Sequence, residues 1–285
     1  MINFNSAAAI VVHWGDSKLT NKAVCALLEN SKFGAKQIFV VENGMSIDAL
    51  SFDTNVIRVE KNKGYAAGVN RGIKEALGKG FESFFVMNND LECPSGVVEP
   101  MLENLSKNER KVGCLGAVVN EGDGRPVYGG GKINWFRGRT FLSLTPDNNI
   151  DYVSGAFFLV SKKCFLDVGP MPEEYFHTWE DVAYSFQVKN KGWEIGWIRT
   201  PIIEHPRSQS MKDSKLKTYY LVRNGVLFMK KYAPAPYKQW FMIVEPFREK
   251  LAVKRKKWEV ARAIIDARKG VTGPKALEAD LSSSV

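Results

Sequence analysis

Residues 7–44 read AAAIVVHWGDSKLTNKAVCALLENSKFGAKQIFVVENG. The stretch opens on an unbroken apolar run at 7–12, closed by the polar loop His13-Trp14-Gly15-Asp16. A short apolar run without alternation is the pattern of a strand covered on both faces. Over 21–28 the apolar residues take helical spacing, with Val24, Leu27 and Leu28 on one face. A second apolar run follows at 37–41, and Glu42-Asn43-Gly44 breaks it. Strand, helix and strand in that order predict a parallel sheet covered by helices.

The alternation continues outward. A third strand is expected at 55–59, a helix at 66–77 ending at Gly78, and a fourth strand at 81–87, FESFFVM, followed by Asn88-Asn89-Asp90. Beyond Gly113 the pattern loosens. It gives a strand at 112–119, a glycine-rich loop with a hairpin at 121–139, a strand at 153–160 and a short helix from 162 to 166. A helix at 180–190 ends at Gly192, and a strand at 193–198 is closed by Pro201. The helix expected at 215–231 carries Tyr219, Tyr220 and Arg223; Pro234 and Pro236 then mark a boundary. One or two amphipathic helices fill 240–268, and 280–285 reads as disordered. The expected organisation is an α/β domain at 1–232, with halves at about 1–112 and 113–232, and a basic helical tail at 233–285.

Of the 285 residues, 45% are hydrophobic and 25% charged, which suits an ordinary globular domain with a real core. The formal net charge is +9, and most of it is local: from Lys230 onward there are 13 Lys and Arg against 6 Asp and Glu. Such a tail attracts anionic lipid, nucleic acid or phosphorylated ligands, and sign alone does not choose. Cys25, Cys93, Cys114 and Cys164 form no CxxC pair, which argues against a zinc or redox motif. With no basic-then-apolar leader and no apolar run of ~18 residues, the expectation is a cytoplasmic protein.

Parallel sheets bind ligands at the carboxyl ends of their strands. Asp16, Glu42, Asn43, Asn88, Asn89 and Asp90 all sit at such ends. Asp90 offers the single carboxylate that a hard cation, Mg²⁺ or Mn²⁺, needs when phosphate oxygens complete its shell; taken alone, Asn-Asn-Asp is an ordinary strand cap. In KNKGYAAGVN, at 61–70, two glycines bracket a helix start, where phosphate is favoured; the plain alternative is helix–strand packing through Gly68. Glu180-Asp181 follows the aromatic run Tyr175-Phe176-His177-Thr178-Trp179. The pair suits either a helix dipole or a general base for a hydroxyl nucleophile. His205, in Glu204-His205-Pro206, suits a ligand and a structural role equally.

These blocks, in this order, resemble family 2 glycosyltransferases of the GT-A fold, most closely a rhamnosyltransferase-like bacterial branch. VVHW and VVENGMSID are similar to the family's first two strands, NKGYAAGVNRGI to its glycine segment, and FFVMNNDLECP to its Asp-x-Asp region. GGGKINWFRGR, VSGAFFLVSKKCFLDVGPMPEEYF, WEDVAYSFQVKNKGW, EHPRSQS and YYLVRN resemble the later blocks, so that the likeness covers about residues 7–231. It implies a nucleotide diphosphate sugar, dTDP- or UDP-linked with dTDP-rhamnose favoured, held by His13, Trp14, Glu42, Asn43, Lys63, Gly64, Asn70, Asn88, Asn89 and Asp90. It implies a divalent cation on Asp90 and His205, and an acceptor, saccharide or polyprenyl-linked, beside Gly155, Ala156, Trp179 and His177. Asp181 is the implied base of an inverting displacement, with Glu180 as its positioning neighbour. Glu42 stands where the family has the Asp that holds the nucleotide base, a longer carboxylate that can still accept from it; Asn88 stands at the first Asp of Asp-x-Asp, which implies weaker or dispensable metal dependence.

Three other readings compete. A nucleotidyltransferase would want a Gly-rich, basic signature after the first strand, which His13-Trp14-Gly15-Asp16 does not supply. A non-catalytic nucleotide-sugar or carbohydrate-binding module leaves Glu180-Asp181 unexplained. Nucleic-acid binding has only charge behind it, with no recognised motif. The tail suits an anionic membrane surface, at the inner face of the cell membrane, or packing on the catalytic domain or on a second subunit of a homodimer.

Overall fold

The computed structural model describes residues 4–48, 50–120, 124–147, 149–205 and 214–275. In chain order the elements are β1 (Ala7–His13), α1 (Ser17–Asn30), β2 (Ile38–Asn43), β3 (Asn55–Val59), α2 (Tyr65–Gly78), β4 (Ser83–Asn88), α3 (Val98–Lys107), β5 (Val112–Gly116) and β6 (Val118–Asn120). There follow β7 (Pro126–Tyr128), β8 (Gly130–Asn134), β9 (Arg139–Leu142), β10 (Tyr152–Val153), β11 (Phe157–Ser161), α4 (Lys162–Val168) and α5 (Glu180–Asn190). The chain continues through β12 (Glu194–Trp197), β13 (Ile203–Glu204), α6 (Ser214–Tyr232), α7 (Tyr237–Lys254) and α8 (Trp258–Arg268).

The main sheet has seven strands in the order β12-β5-β11-β4-β1-β2-β3. β1 runs parallel to both β2 and β4. After β3 the chain therefore returns to the far side of β1, and the strand order reverses between β1 and β4. Their carboxyl ends, His13-Trp14 and Asn88-Asn89-Asp90, form the crevice at that switch point. β11 is antiparallel to both β4 and β5, so the sheet is mixed but mostly parallel and flanked by helices, as the resemblance implied.

Every residue of β1 is buried. Ala7, Ala9 and Val11 face a core shared with Val24 and Leu27 of α1 and Met101 and Leu105 of α3. Ala8, Ile10 and Val12 face a second core, with Val69 and Ile73 of α2 and Tyr184 and Val188 of α5. α1 starts where the Asp16 carboxylate accepts from Lys18 N at 2.8 Å, an N-cap. α2 lies unusually close to β1, because a Cβ on Gly72 would stand 2.4 Å from Ile10 Cγ2.

Three differences from the sequence reading have simple causes. The strand expected at 153–160 is two, β10 and β11, because Ser154-Gly155-Ala156 leave the ladder to meet α5. The strand expected at 112–119 breaks at Ala117, with β5 joining the main sheet and β6 a small sheet with β7 and β13. α3 was not anticipated, although Val98, Met101, Leu102 and Leu105 have helical spacing and are buried. The tail forms α7 and α8, and α8 buries Ala261, Ala263, Ile264 and Ala267. The disorder expected at 280–285 and most of EHPRSQS fall outside the described residues. No helix among the described residues is long and apolar enough to cross a membrane.

Candidate active site

Three carboxylates converge on Tyr65, the first residue of α2. Its hydroxyl donates to Gly155 O at 2.9 Å. Burial, and then Glu180, Asp181 and Asp90 in turn, push its ionisation far up. Tyr65 therefore marks the point where the end of β4, the β10–β11 turn and the start of α5 meet.

Asp181 sits one residue into α5. Its Oδ2 accepts from Gly155 N at 2.9 Å, and its Oδ1 from Val182 N at 2.8 Å. Two N–H donors on an acceptor-only carboxylate suit its ionised form. A Cβ on Gly155 would stand 3.1 Å from Asp181 Cβ, so glycine allows this close approach. Glu180 points inward and is buried. Burial first, then the neighbouring Asp181 charge, push its carboxyl up to about 8, so it holds its proton at neutral pH. The two adjacent carboxyls thus sit in different surroundings, Asp181 held by two N–H donors and Glu180 buried, an arrangement that acid–base sites use.

The loop ahead of this pair is strained. Phe176, Thr178 and Trp179 all have positive φ, at 63°, 62° and 72°, where a side chain costs roughly 1–2 kcal/mol each. α6 holds it there. Asn224, fully buried, donates from Nδ2 to the carbonyls of Tyr175, His177 and Thr178 at 2.6, 2.7 and 2.9 Å. Arg223, also fully buried, donates to Tyr175 O at 3.1 Å and to Gly273 O at 2.8 Å, and lies over the Tyr220 ring. The segment after α8 therefore helps to fix the loop that delivers Glu180 and Asp181. The sequence reading named YYLVRN but gave Arg223 and Asn224 no role, nor Tyr65. The signal was a charged and an amide residue adjacent within the otherwise apolar run from Tyr219 to Met229.

At the switch point, His205 Nε2 lies 3.3 Å from Asp90 Oδ1. Asp90 Oδ1 is buried and makes no hydrogen bond among the described residues. A carboxylate oxygen facing an imidazole nitrogen in this way fits a divalent cation that draws its other ligands from phosphate and water. Among the described residues no group of three or more His, Cys, Asp or Glu could hold a metal alone. Asn88 lies next to this pair, with its N–H on Ala156 O at 3.0 Å.

The remaining strand-end residues divide between facing the crevice and bracing it. Trp14 is exposed at the rim, and Lys63 is exposed beside Gly64. His13 is fully buried, with Nδ1 2.7 Å from Thr20 Oγ1, and burial lowers its ionisation. Asn89 donates to Trp14 O and Thr20 Oγ1, tying the end of β4 to that of β1. Glu42 accepts from Ile47 N at 2.9 Å and Arg58 Nε at 3.1 Å. Asn43 donates to Gly64 O at 3.0 Å. Gly64, at φ 101°, packs on Phe176, where a Cβ would stand 2.5 Å from its carbonyl oxygen. Asn70 brackets Met171, donating to its O and accepting from its N. Trp179 is buried against Gly225 and Phe228, with Nε1 on Leu221 O at 3.0 Å. Burial, then Lys217, lower His177 to about 4, which keeps it neutral at physiological pH.

Residues 9–169 match the family described as Glycosyl transferase family 2. The chain belongs to that family. A low-salt glycan biosynthesis hexosyltransferase, Agl10, of Haloferax volcanii is 25% identical over 212 residues, 68% of this chain and 67% of its own length. An N-acetylglucosaminyl-diphospho-decaprenol L-rhamnosyltransferase of Mycobacterium tuberculosis is 25% identical over 178 residues, 52% of this chain and 57% of its own. Among solved structures, GalNAc-T7 with UDP, GalNAc and Mn²⁺ superposes with a TM-score of 0.59 at 15% identity, over 83% of this chain and 54% of that one. The Pyrobaculum calidifontis mannosyltransferase PcManGT with GDP-Man and Mn²⁺ gives 0.55 at 11%, over 93% and 74%. The chain thus spans little more than half the length of GalNAc-T7 and of the rhamnosyltransferase. The structural likenesses establish the GT-A fold of this family 2 glycosyltransferase.

Proposed function

We propose that this enzyme is an inverting hexosyltransferase that moves a sugar, rhamnose from dTDP-rhamnose being the favoured donor, onto a saccharide or polyprenyl-linked acceptor. The cellular role would be cell-surface polysaccharide synthesis, on the cytoplasmic side of the membrane. One observation carries the reading: the Asp181 carboxylate, oriented by Gly155 N–H, stands beside the buried Glu180, whose carboxyl burial pushes up, at the switch-point crevice that holds Asp90. The acceptor and the donor preference draw on the two curated relatives.

In the reaction the acceptor oxygen forms a bond to the anomeric carbon as that carbon's bond to the diphosphate oxygen breaks. The diphosphate leaves with the electron pair. Asp181 takes the acceptor's proton, general-base assistance worth typically 10²–10⁴-fold. Glu180, holding its own proton, donates a hydrogen bond that orients the acceptor or Asp181. Asp90 and His205 would hold a divalent cation, Mg²⁺ or Mn²⁺, which when bound supplies electrostatic stabilisation of the departing diphosphate. Trp14, Lys63 and the start of α2 line the donor side.

The test is nucleoside diphosphate release from a panel of nucleotide sugars with Mn²⁺, Mg²⁺ or EDTA, with donor binding followed by thermal shift. Release from one donor, lowered by EDTA and reduced by roughly 10²-fold or more in Asp181→Asn, is the expected result. Asp90→Ala should raise the Mn²⁺ concentration needed for half-maximal rate. Donor binding with no release under any acceptor, unaltered by Asp181→Asn, would replace the enzyme with a binding module.

A further inference from the structure

α7 is apolar on both of its sides. Phe241, Glu245 and Ala252 turn toward the protein. On the other side Trp240, Ile243, Phe247 and Leu251 recur at intervals of three, four and four and stay in solvent, Ile243 at 61% and Phe247 at 67% exposure. Those intervals place all four on one stripe of a helix. A helix lying on a water-soluble domain normally puts its polar residues there. The stripe also extends off the helix, because Phe136, itself exposed, stacks on Trp240 with centroids 4.9 Å apart and accepts its Nε1 hydrogen bond.

Cations border this apolar stripe. Lys250 and Lys254 project from the same side of α7, and Arg255, Lys256 and Lys257 continue it, all exposed. Arg248 lies over Phe241, and its Nη1 is buried with no hydrogen bond among the described residues. Burial first, then the charge of Arg139, work against its ionisation, and the buried Glu245 supports it. In an isologous dimer through this stripe each copy's lysines would be brought toward those of the other, a like-charge juxtaposition. α8, by contrast, is spent on packing against α6.

We propose that the outer face of α7, with Phe136, is the surface on which the enzyme lies on an anionic lipid bilayer, aromatic and aliphatic side chains in the interface and lysines at the headgroups. This deepens the membrane-side location given above. It is read without turnover, so that it and the donor assignment can fail separately. The experiment is co-sedimentation of the full chain with vesicles of phosphatidylcholine alone and of phosphatidylcholine with phosphatidylglycerol. Binding should favour the anionic vesicles by about tenfold or more. Ile243→Asp/Phe247→Asp and, separately, Lys250→Glu/Lys254→Glu should each lose about tenfold with an unchanged melting temperature, since all four side chains are exposed. Equal binding by wild type and both variants would overturn the proposal, as would no binding to either vesicle. So would a wild-type dimer, seen by light scattering, that Ile243→Asp/Phe247→Asp converts to monomer.

Discussion

Replacing Asn224 should separate the clamp on the catalytic loop from simple packing. Its Oδ1 accepts from Arg223 Nε at 3.0 Å while its Nδ2 faces three carbonyls, so the orientation of the amide is determined by its partners. An NH₂ group has two hydrogens, so Asn224→Ala leaves the loop at least two hydrogen bonds short in a fully buried position. At about 1–3 kcal/mol for each group left unsatisfied, the cost is roughly 2–6 kcal/mol, a large share of the ~5–15 kcal/mol that holds a domain together. Relaxation of Phe176, Thr178 and Trp179 toward negative φ would return part of that cost, and would carry Glu180 and Asp181 out of place. Asn224→Asp keeps the shape but presents an acceptor to acceptors. It should destabilise at least as much at neutral pH. Its folded-state pKa would be raised, so stability should return as pH falls through that value toward the unfolded one. Urea unfolding followed by tryptophan fluorescence gives the stability, and initial rates at saturating donor, scaled to the folded fraction, give kcat. Wild-type stability in Asn224→Asp, or lost stability with an unchanged kcat, would refute the reasoning.

Gly72→Ala should cost about 1–3 kcal/mol by overpacking, with part recovered when Ile10→Ala is added, because the new Cβ would strike Ile10 Cγ2; a thermal-melt double-mutant cycle checks it. Glu180 has a folded pKa raised above its ordinary value, so its ionisation opposes folding. The resulting loss of stability grows as pH rises from about 4.5 to about 8 and is complete above that. Glu180→Gln should therefore stabilise relative to wild type at pH 9 and much less at pH 5, in melts across that range; an equal effect at both would count against a buried, protonated Glu180. A chain ending at Tyr232 should fail to fold, since Arg223 loses Gly273, Tyr219 loses Asp266, and α6 loses the apolar cover of α8. A folded, cooperative melt from that truncation would make 233–285 a dispensable appendage.

β1, β2 and β4, the centre of the parallel half, could be read from sequence because each is an apolar run ended by a polar break. Nothing comparable marks β11. The residues FFLVS look like any buried strand, and their antiparallel direction follows from how the β10–β11 turn and α4 return the chain. The split at Ala117 is equally silent, because adjoining strands of different sheets carry the same apolar code.

The site was half legible for a related reason. A polar residue at a strand end is written the same way whether it faces ligand or its own chain. Asp90 opens onto the crevice, whereas Asn43, Asn70 and Asn89 spend their amides on neighbouring loops. Trp179 looked like a platform for sugar, but at φ 72° it turns into the core behind α5. The positive φ angles themselves leave no trace at Phe176, Thr178 and Trp179, because these residue types do not favour the left-handed region. Such a loop persists only where its surroundings over-determine it, and here the determinants are remote: Asn224 and Arg223 on α6, and through Arg223 the backbone of Gly273. The placement of Asp181 thus depends on a segment some ninety residues downstream. That dependence turns the basic tail from an attachment into part of the scaffold that builds the site.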